Sequence, residues 1–334
     1  MAAVATPSSA PPKSRSAPAK DAAQNKIEDP MFGFAARMFH PTPAMRKQTT
    51  KHIVQSATYP FNELADEYFY NVNEEDKEAV HEQIKEAGVV IAGSVVYVVP
   101  NETPKFFPDV YAFLTSAGKE SEKVRALCVP GVGSSVLGAV GLARDIALAR
   151  KVPVAGVVAG YGLRELVNDS LGGAFYFREI NELEFALENM RRSFSTLVSG
   201  FDLLPTIETY DSLGGGATVL SMKALLRDRR LPNLEFLVGH SKGNLVLSGA
   251  LGELVCENAP IEILKQVKIV LLSAVCALPK VGKEQVQIIG ALDPLGWGNS
   301  RFGIVPDRIV PNAAHHLNRE IPLYLDAVSE LASL

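Results

Sequence analysis

From Gly88 onward the chain alternates short, β-branched apolar runs with helical stretches, and few architectures accommodate that texture. Runs such as Val89-Val90-Ile91-Ala92-Gly93-Ser94-Val95-Val96-Tyr97-Val98-Val99 and Val267-Lys268-Ile269-Val270-Leu271-Leu272 are apolar at nearly every position instead of every second one. Strands of that kind have no wet side. They predict a mostly parallel central sheet with helices on both faces, an α/β fold. The first run supplies one or two strands. Further strands are expected at 123–129, 152–159, 234–238, 267–275, 286–290 and 308–310, with helices at 136–150, 217–229, 244–251 and 320–331 between and after them. Residues 161–213 interrupt the pattern as a long insertion, and no internal repeat is visible.

Upstream the texture differs. Residues 1–30 are rich in Ala, Pro and Ser and read as a disordered tail, and residues 31–86 read as a helical N-terminal extension. Asn73 or Asn71 is placed to cap a helix through Glu74-Glu75-Asp76 to Glu86, which Gly88 ends. Residues 87–334 form the sheet domain. The first 20 residues lack the apolar core of a secretory signal, and their prolines disfavour an amphipathic transit helix, so a cytoplasmic protein is expected. No run reaches the roughly 20 apolar residues of a spanning helix. Lys and Arg total 33 against 37 Asp and Glu, without the clustered basic surplus of a nucleic-acid binder. Cys128, Cys256 and Cys276 lie in apolar runs without ligand-like spacing, which points to small buried hydrophobes in a reducing compartment.

Chemistry concentrates at Gly239-His240-Ser241-Lys242-Gly243, between the apolar run 234–238 and the apolar helix that follows. A serine at a tight strand-to-helix turn is forced into a strained conformation, with glycines where side chains would collide. Its hydroxyl then projects beyond the sheet edge. The bare pattern recurs by chance, so the strand–turn–helix context carries the reading. A serine hydroxyl needs a base, and the base an orienting acid. Asp293 follows the second strand after the serine and belongs at the same sheet edge. Asp307 precedes a strand and belongs at the opposite one. His315 and His316 follow the short strand at 308–310, and His315, nearer the strand end, is the expected base. His240 lies inside the turn and is read as packing or turn-supporting. Two N–H donors must face the oxyanion. Lys242 supplies one from its backbone, its side chain reaching solvent, and Val132 in Pro130-Gly131-Val132-Gly133 supplies the other. That loop also begins like a dinucleotide-binding fingerprint. It lacks the third glycine, which would fall at Val136, and the next strand ends in Ala159-Gly160-Tyr161 with no acid for a ribose.

These four places make the chain, from about residue 88 to 334, resemble the α/β-hydrolase superfamily: the oxyanion loop at 130–133, the elbow at 239–243, Leu292-Asp293-Pro294, and Asn312-Ala313-Ala314-His315. It departs from the common pattern in having Pro130 where many members carry His, and Ala313-Ala314 in place of glycines. The resemblance implies a serine hydrolase of carboxylic esters or thioesters working through an acyl-enzyme, with Ser241 as nucleophile, His315 as base and Asp293 as acid. It implies no cofactor and no metal, a small-molecule or lipid-like acyl substrate, and a cap at 161–213 whose Leu171, Phe175, Tyr176 and Phe177 suit an apolar acyl group. Two alternatives remain: a non-catalytic scaffold on a hydrolase fold, and a granule- or membrane-surface lipase or polyester depolymerase. The scaffold would associate or oligomerise through the tail and residues 31–86, and the surface enzyme would dock through the apolar stretch 31–60 of the same extension.

Overall fold

The computed structural model describes residues 63–88, 92–131, 134–159, 216–259 and 262–334. The expected tail, the first half of the N-terminal extension, the cap at 161–213 and Val132 lie outside these residues.

A helical stretch at 63–69 (α1) leads to α2, Glu74–Ala87. Asn73 caps α2 by accepting the Asp76 N–H at 2.7 Å, three acids occupy the first turn, and Gly88 closes it in the left-handed region. The strands follow as β1 (Val95–Val98), β2 (Lys105–Phe107), β3 (Ala126–Val129), β4 (Val154–Val157), β5 (Phe236–His240), β6 (Lys268–Leu272), β7 (Glu284–Gly290) and β8 (Arg308–Val310). Two short helices, α3 (Val110–Leu114) and α4 (Glu120–Lys123), precede β3. After it come α5 (Val136–Arg150), α6 (Gly216–Arg227), α7 (Lys242–Cys256), α8 (Pro294–Asn299) and α9 (Ala327–Ala332).

All eight strands form one sheet in the order β2-β1-β4-β3-β5-β6-β7-β8. From β4 to β8 every pairing is parallel, and β1 runs antiparallel to both its neighbours. The unbroken apolar runs are explained by the two faces. Leu127, Leu237, Ile269 and Leu271 join one core with Met222 and Leu225 of α6 and Leu247 and Leu251 of α7. Cys128, Val238, Val270 and Leu272 point the other way, into a core with Leu142 and Ile146 of α5 and Leu331 of α9. Each of these side chains is fully buried, which for a leucine stabilises the fold by about 2 kcal/mol.

The described part of the first apolar run, 92–99, holds one strand, within the one or two expected, with Gly93 turning the backbone at φ 87° before β1 begins. Three other points depart from the sequence reading. The edge strand β2 was not expected, since three residues give too little pattern to read. The last helix spans Ala327–Ala332, not 320–331: the backbone before it is bound to the histidine loop, through Ala314 N–H to the Leu323 carbonyl at 2.6 Å and Leu325 N–H to the His316 carbonyl at 2.8 Å, with Leu323 at φ 68°, and Asp326 caps the shorter helix through the Ser329 N–H. Cys256 is half-buried, unlike Cys128 and Cys276.

The described part of the N-terminal extension is not an appendage. Asp66, Tyr70 and Val80 are buried against the sheet unit. Val80 packs with Val96 and Val140, and Arg144 of α5 makes a two-pronged ion pair with Asp76, at 2.9 Å from Nε and 2.6 Å from Nη2.

Candidate active site

Strands β4 and β5 flank β3 on opposite sides, so the chain reverses its direction of travel across the sheet at β3. In open parallel sheets a crevice opens at that reversal, beyond the carboxyl ends of the strands. The turn after β3 brings Gly131 there, and the turn after β5 brings Ser241.

Ser241 has φ 53° and ψ −119°, a conformation that costs a residue with a Cβ about 1–3 kcal/mol. The surroundings enforce it. The Ser241 N–H donates to the Leu272 carbonyl at 2.9 Å, and the Asn244 N–H to the Ser241 carbonyl at 3.0 Å. Asn244 Nδ2 holds the carbonyls of Leu272 and Ala274, both at 2.9 Å. The glycines are required by space: a Cβ on Gly243 would lie 2.1 Å from the Val129 carbonyl oxygen, and one on Gly239 2.4 Å from Asn244 Oδ1.

Asp293 follows β7, is fully buried and caps α8, accepting the Gly296 N–H at 2.6 Å with Pro294 in the first turn. Beginning a turn before proline and facing a histidine turn out to be compatible tasks. His315 is carried by the loop after β8, which returns over the tip of β7: the Leu292 N–H reaches the Ala313 carbonyl at 2.8 Å. His315 Nδ1 is 2.8 and 2.9 Å from the two Asp293 oxygens, and its Nε2 is 2.9 Å from Ser241 Oγ. A carboxylate only accepts, so Nδ1 carries the proton and Nε2 offers its lone pair to the serine hydroxyl. The arrangement can take a proton from Ser241 and stabilise the resulting imidazolium.

The other candidates fall elsewhere. Asp307 lies at the opposite sheet edge, accepting the Gln287 N–H at 2.7 Å. His316 turns away, with Nε2 on the Pro322 carbonyl at 3.1 Å and its ring against Tyr68. Lys242 opens α7, where backbone N–H groups lack intrahelical acceptors, and its side chain is half-buried rather than free in solvent. Among the described residues there is no cluster of His, Cys, Asp and Glu fit for a metal, and no helix long and apolar enough to cross a membrane.

His240 does more than pack. It is buried, with Nδ1 2.8 Å from the Tyr70 hydroxyl and Nε2 2.9 Å from the His315 carbonyl. Burial, then the neighbouring His315, pushes its pKa down to about 3, so the ring is neutral. The Tyr70 hydroxyl also receives the Gly131 N–H at 2.6 Å, and burial holds the phenol well above its usual range. Asp66, one helical turn before Tyr70, accepts the Ser135 N–H at 2.8 Å. Burial pushes its pKa up to about 7, outweighing hydrogen bonds from Ser135, Gly138 and Ser134. At the last residue of α1 the Phe69 carbonyl accepts the Leu317 N–H at 2.7 Å, and just beyond it Asn71 Nδ2 donates to the Leu317 carbonyl at 3.0 Å. The segment from Asp66 to Asn71 thus braces both the loop after β3 and the histidine loop. Sequence reasoning missed Asp66 and Tyr70; their i, i+4 spacing signals one shared helix face, but not what it meets.

Sheet order, elbow and loop positions make this an α/β-hydrolase fold. No protein-family model matches the sequence, and no curated protein matches it. Among solved structures the chain is similar to EstE7, an HSL homologue from a metagenome library, at 12% identity and a TM-score of 0.35, over 82% of this chain and 93% of that one. It is also similar to a serine-to-alanine variant of the feruloyl esterase module of Clostridium thermocellum complexed with sinapinate, at 11% identity and a TM-score of 0.23, over 67% of this chain and 83% of that one.

Proposed function

We propose that this chain is a serine hydrolase of carboxylic esters or thioesters. The observation that carries the reading is the unbroken line from strained Ser241 through His315 to buried Asp293, each link at 2.8–2.9 Å. In the first half-reaction Ser241 Oγ bonds to the substrate carbonyl carbon while its proton passes to His315 Nε2. The oxyanion is held by the Lys242 N–H and by an N–H of the loop after β3, assigned to Val132. Collapse breaks the bond to the alkoxide or thiolate, which takes the proton from His315, and leaves an acyl group on Ser241. Water then repeats the sequence in reverse roles, releasing acid and free enzyme. Asp293 holds the His315 ring in place and stabilises the imidazolium in both halves. Neither a metal nor a cofactor is called for by this chemistry.

The test is turnover of p-nitrophenyl esters of graded acyl length. Ser241→Ala is expected to abolish hydrolysis while the melting temperature stays within a few degrees of wild type. Equal turnover by the variant, or none by wild type at any chain length, speaks for a scaffold on a hydrolase fold.

A further inference from the structure

We propose that Tyr70 and His240 form a fixed strut that sets the loop after β3 against the catalytic base, and so positions the oxyanion donor of that loop. The proposal rests on the hydrolase reading. Its geometry is a chain of directed hydrogen bonds. The His315 carbonyl can only accept, so His240 Nε2 carries a proton and donates to it across 2.9 Å. In a neutral ring Nδ1 must then accept, and the donor facing it among the described residues is the Tyr70 hydroxyl at 2.8 Å. With its proton committed there, the Tyr70 oxygen offers lone pairs, and the Gly131 N–H takes one at 2.6 Å. Every direction in the path from Gly131 to His315 is therefore fixed by one carbonyl.

Two consequences follow. First, the Gly131 amide is occupied and cannot serve an oxyanion, which leaves the next residues of the loop to do so. Second, Gly131 lies directly against the nucleophile: a Cβ placed on it would stand 3.3 Å from Ser241 Cβ and 3.2 Å from the Tyr70 oxygen. Once unpinned, the Gly131 backbone is free to shift against Ser241, and the loop that continues from it loses its fixed start. The His315 carbonyl receives a second bond from Ser273 Oγ at 3.2 Å, and Leu317 stays bonded to Phe69 and Asn71, so the histidine loop keeps its tethers when the strut is cut at Tyr70. The strut also carries no charge to lose: burial keeps the His240 ring neutral far below the pH at which a free imidazole titrates.

Tyr70 and His240 touch no reacting atom and are positioning residues. Tyr70→Phe removes the hydroxyl and keeps the ring, leaving Gly131 N–H and His240 Nδ1 without partners. We expect kcat on p-nitrophenyl esters to fall about 10–100-fold with KM within about twofold, since misplacing a transition-state donor costs rate and not ground-state binding. Affinity for an alkyl boronic acid, which Ser241 converts to a tetrahedral adduct, should fall by the same factor. The acid limb of the pH–rate profile should keep its midpoint, because His315 and Asp293 are untouched. Wild-type kcat and boronate affinity in Tyr70→Phe overturn the proposal, as does a shifted acid limb. Histidine nitrogen NMR on the wild-type protein tests the strut without activity: His240 should be the Nε2–H tautomer, and an Nδ1–H tautomer overturns the proposal even if Tyr70→Phe fails to fold. An inert wild type in which His240 nonetheless has the Nε2–H tautomer would sink the hydrolase reading, and with it the strut's assigned role, while leaving its geometry in place.

Discussion

Asp66 offers a quantitative test of how the N-terminal segment is built into the site. Its carboxyl is buried beneath the start of α5 with no cation against it among the described residues, and its pKa rises from 3.8 to about 7. The folded state therefore holds the proton more tightly than the unfolded chain. For a carboxyl raised in this way, stability is greatest below the unfolded value, is lost as pH climbs from about 4 to about 7, and levels off above that. At about 1.4 kcal/mol per pH unit, ionising Asp66 costs about 2 kcal/mol at pH 5 and about 4 kcal/mol at pH 8.5. Asp66→Asn keeps an oxygen for the Ser135 N–H and removes the titration. The variant's stability relative to wild type should therefore improve by about 2–3 kcal/mol between pH 5 and 8.5, or about 5–10 °C in Tm for a domain of this size. Thermal melts of both proteins across that range measure it. A constant offset between the two curves would refute the reasoning, because it would mean that Asp66 does not change protonation on folding.

Two further outcomes follow from the site. Gly243→Ala drives a methyl into backbone, 2.1 Å from the Val129 carbonyl oxygen, with no rotamer to relieve it. It should cost about 3 kcal/mol in chemical denaturation and lower kcat with it; a wild-type midpoint would contradict the packing described. Asp293→Asn preserves the cap on α8 but allows the wrong His315 tautomer, so kcat should drop about ten-thousand-fold with the fold retained. A loss under about tenfold would remove Asp293 from the proton path.

What the sequence displayed and what it hid divide along physical lines. Strands buried on both faces must be apolar at every position, so β3, β5 and β6 stood out, and Asn73 and Gly88 marked the ends of α2 by local hydrogen bonding alone. The order of Ser241, Asp293 and His315 along the chain was readable because each follows its own strand. Residues 320–326 were misread as helix because tertiary backbone bonds shape them, such as Leu325 N–H to the His316 carbonyl at 2.8 Å. Tyr70 and Asp66 were invisible as site residues because their partners, Gly131, His240 and Ser135, are far away in sequence and no local pattern encodes such contacts. This bears on experiment. Deleting residues 1–86 to probe surface docking would also remove the brace beneath the candidate site, so a truncation meant to spare it should stop short of residue 63.

The central claim is that Ser241 is an activated nucleophile, and intact-mass analysis after treatment with a fluorophosphonate measures this most directly. The account predicts a single covalent adduct on Ser241 in the wild-type protein, slowed at least a hundredfold in His315→Ala and absent in Ser241→Ala. An unmodified wild-type protein, or labelling that persists at full rate without His315, would contradict it.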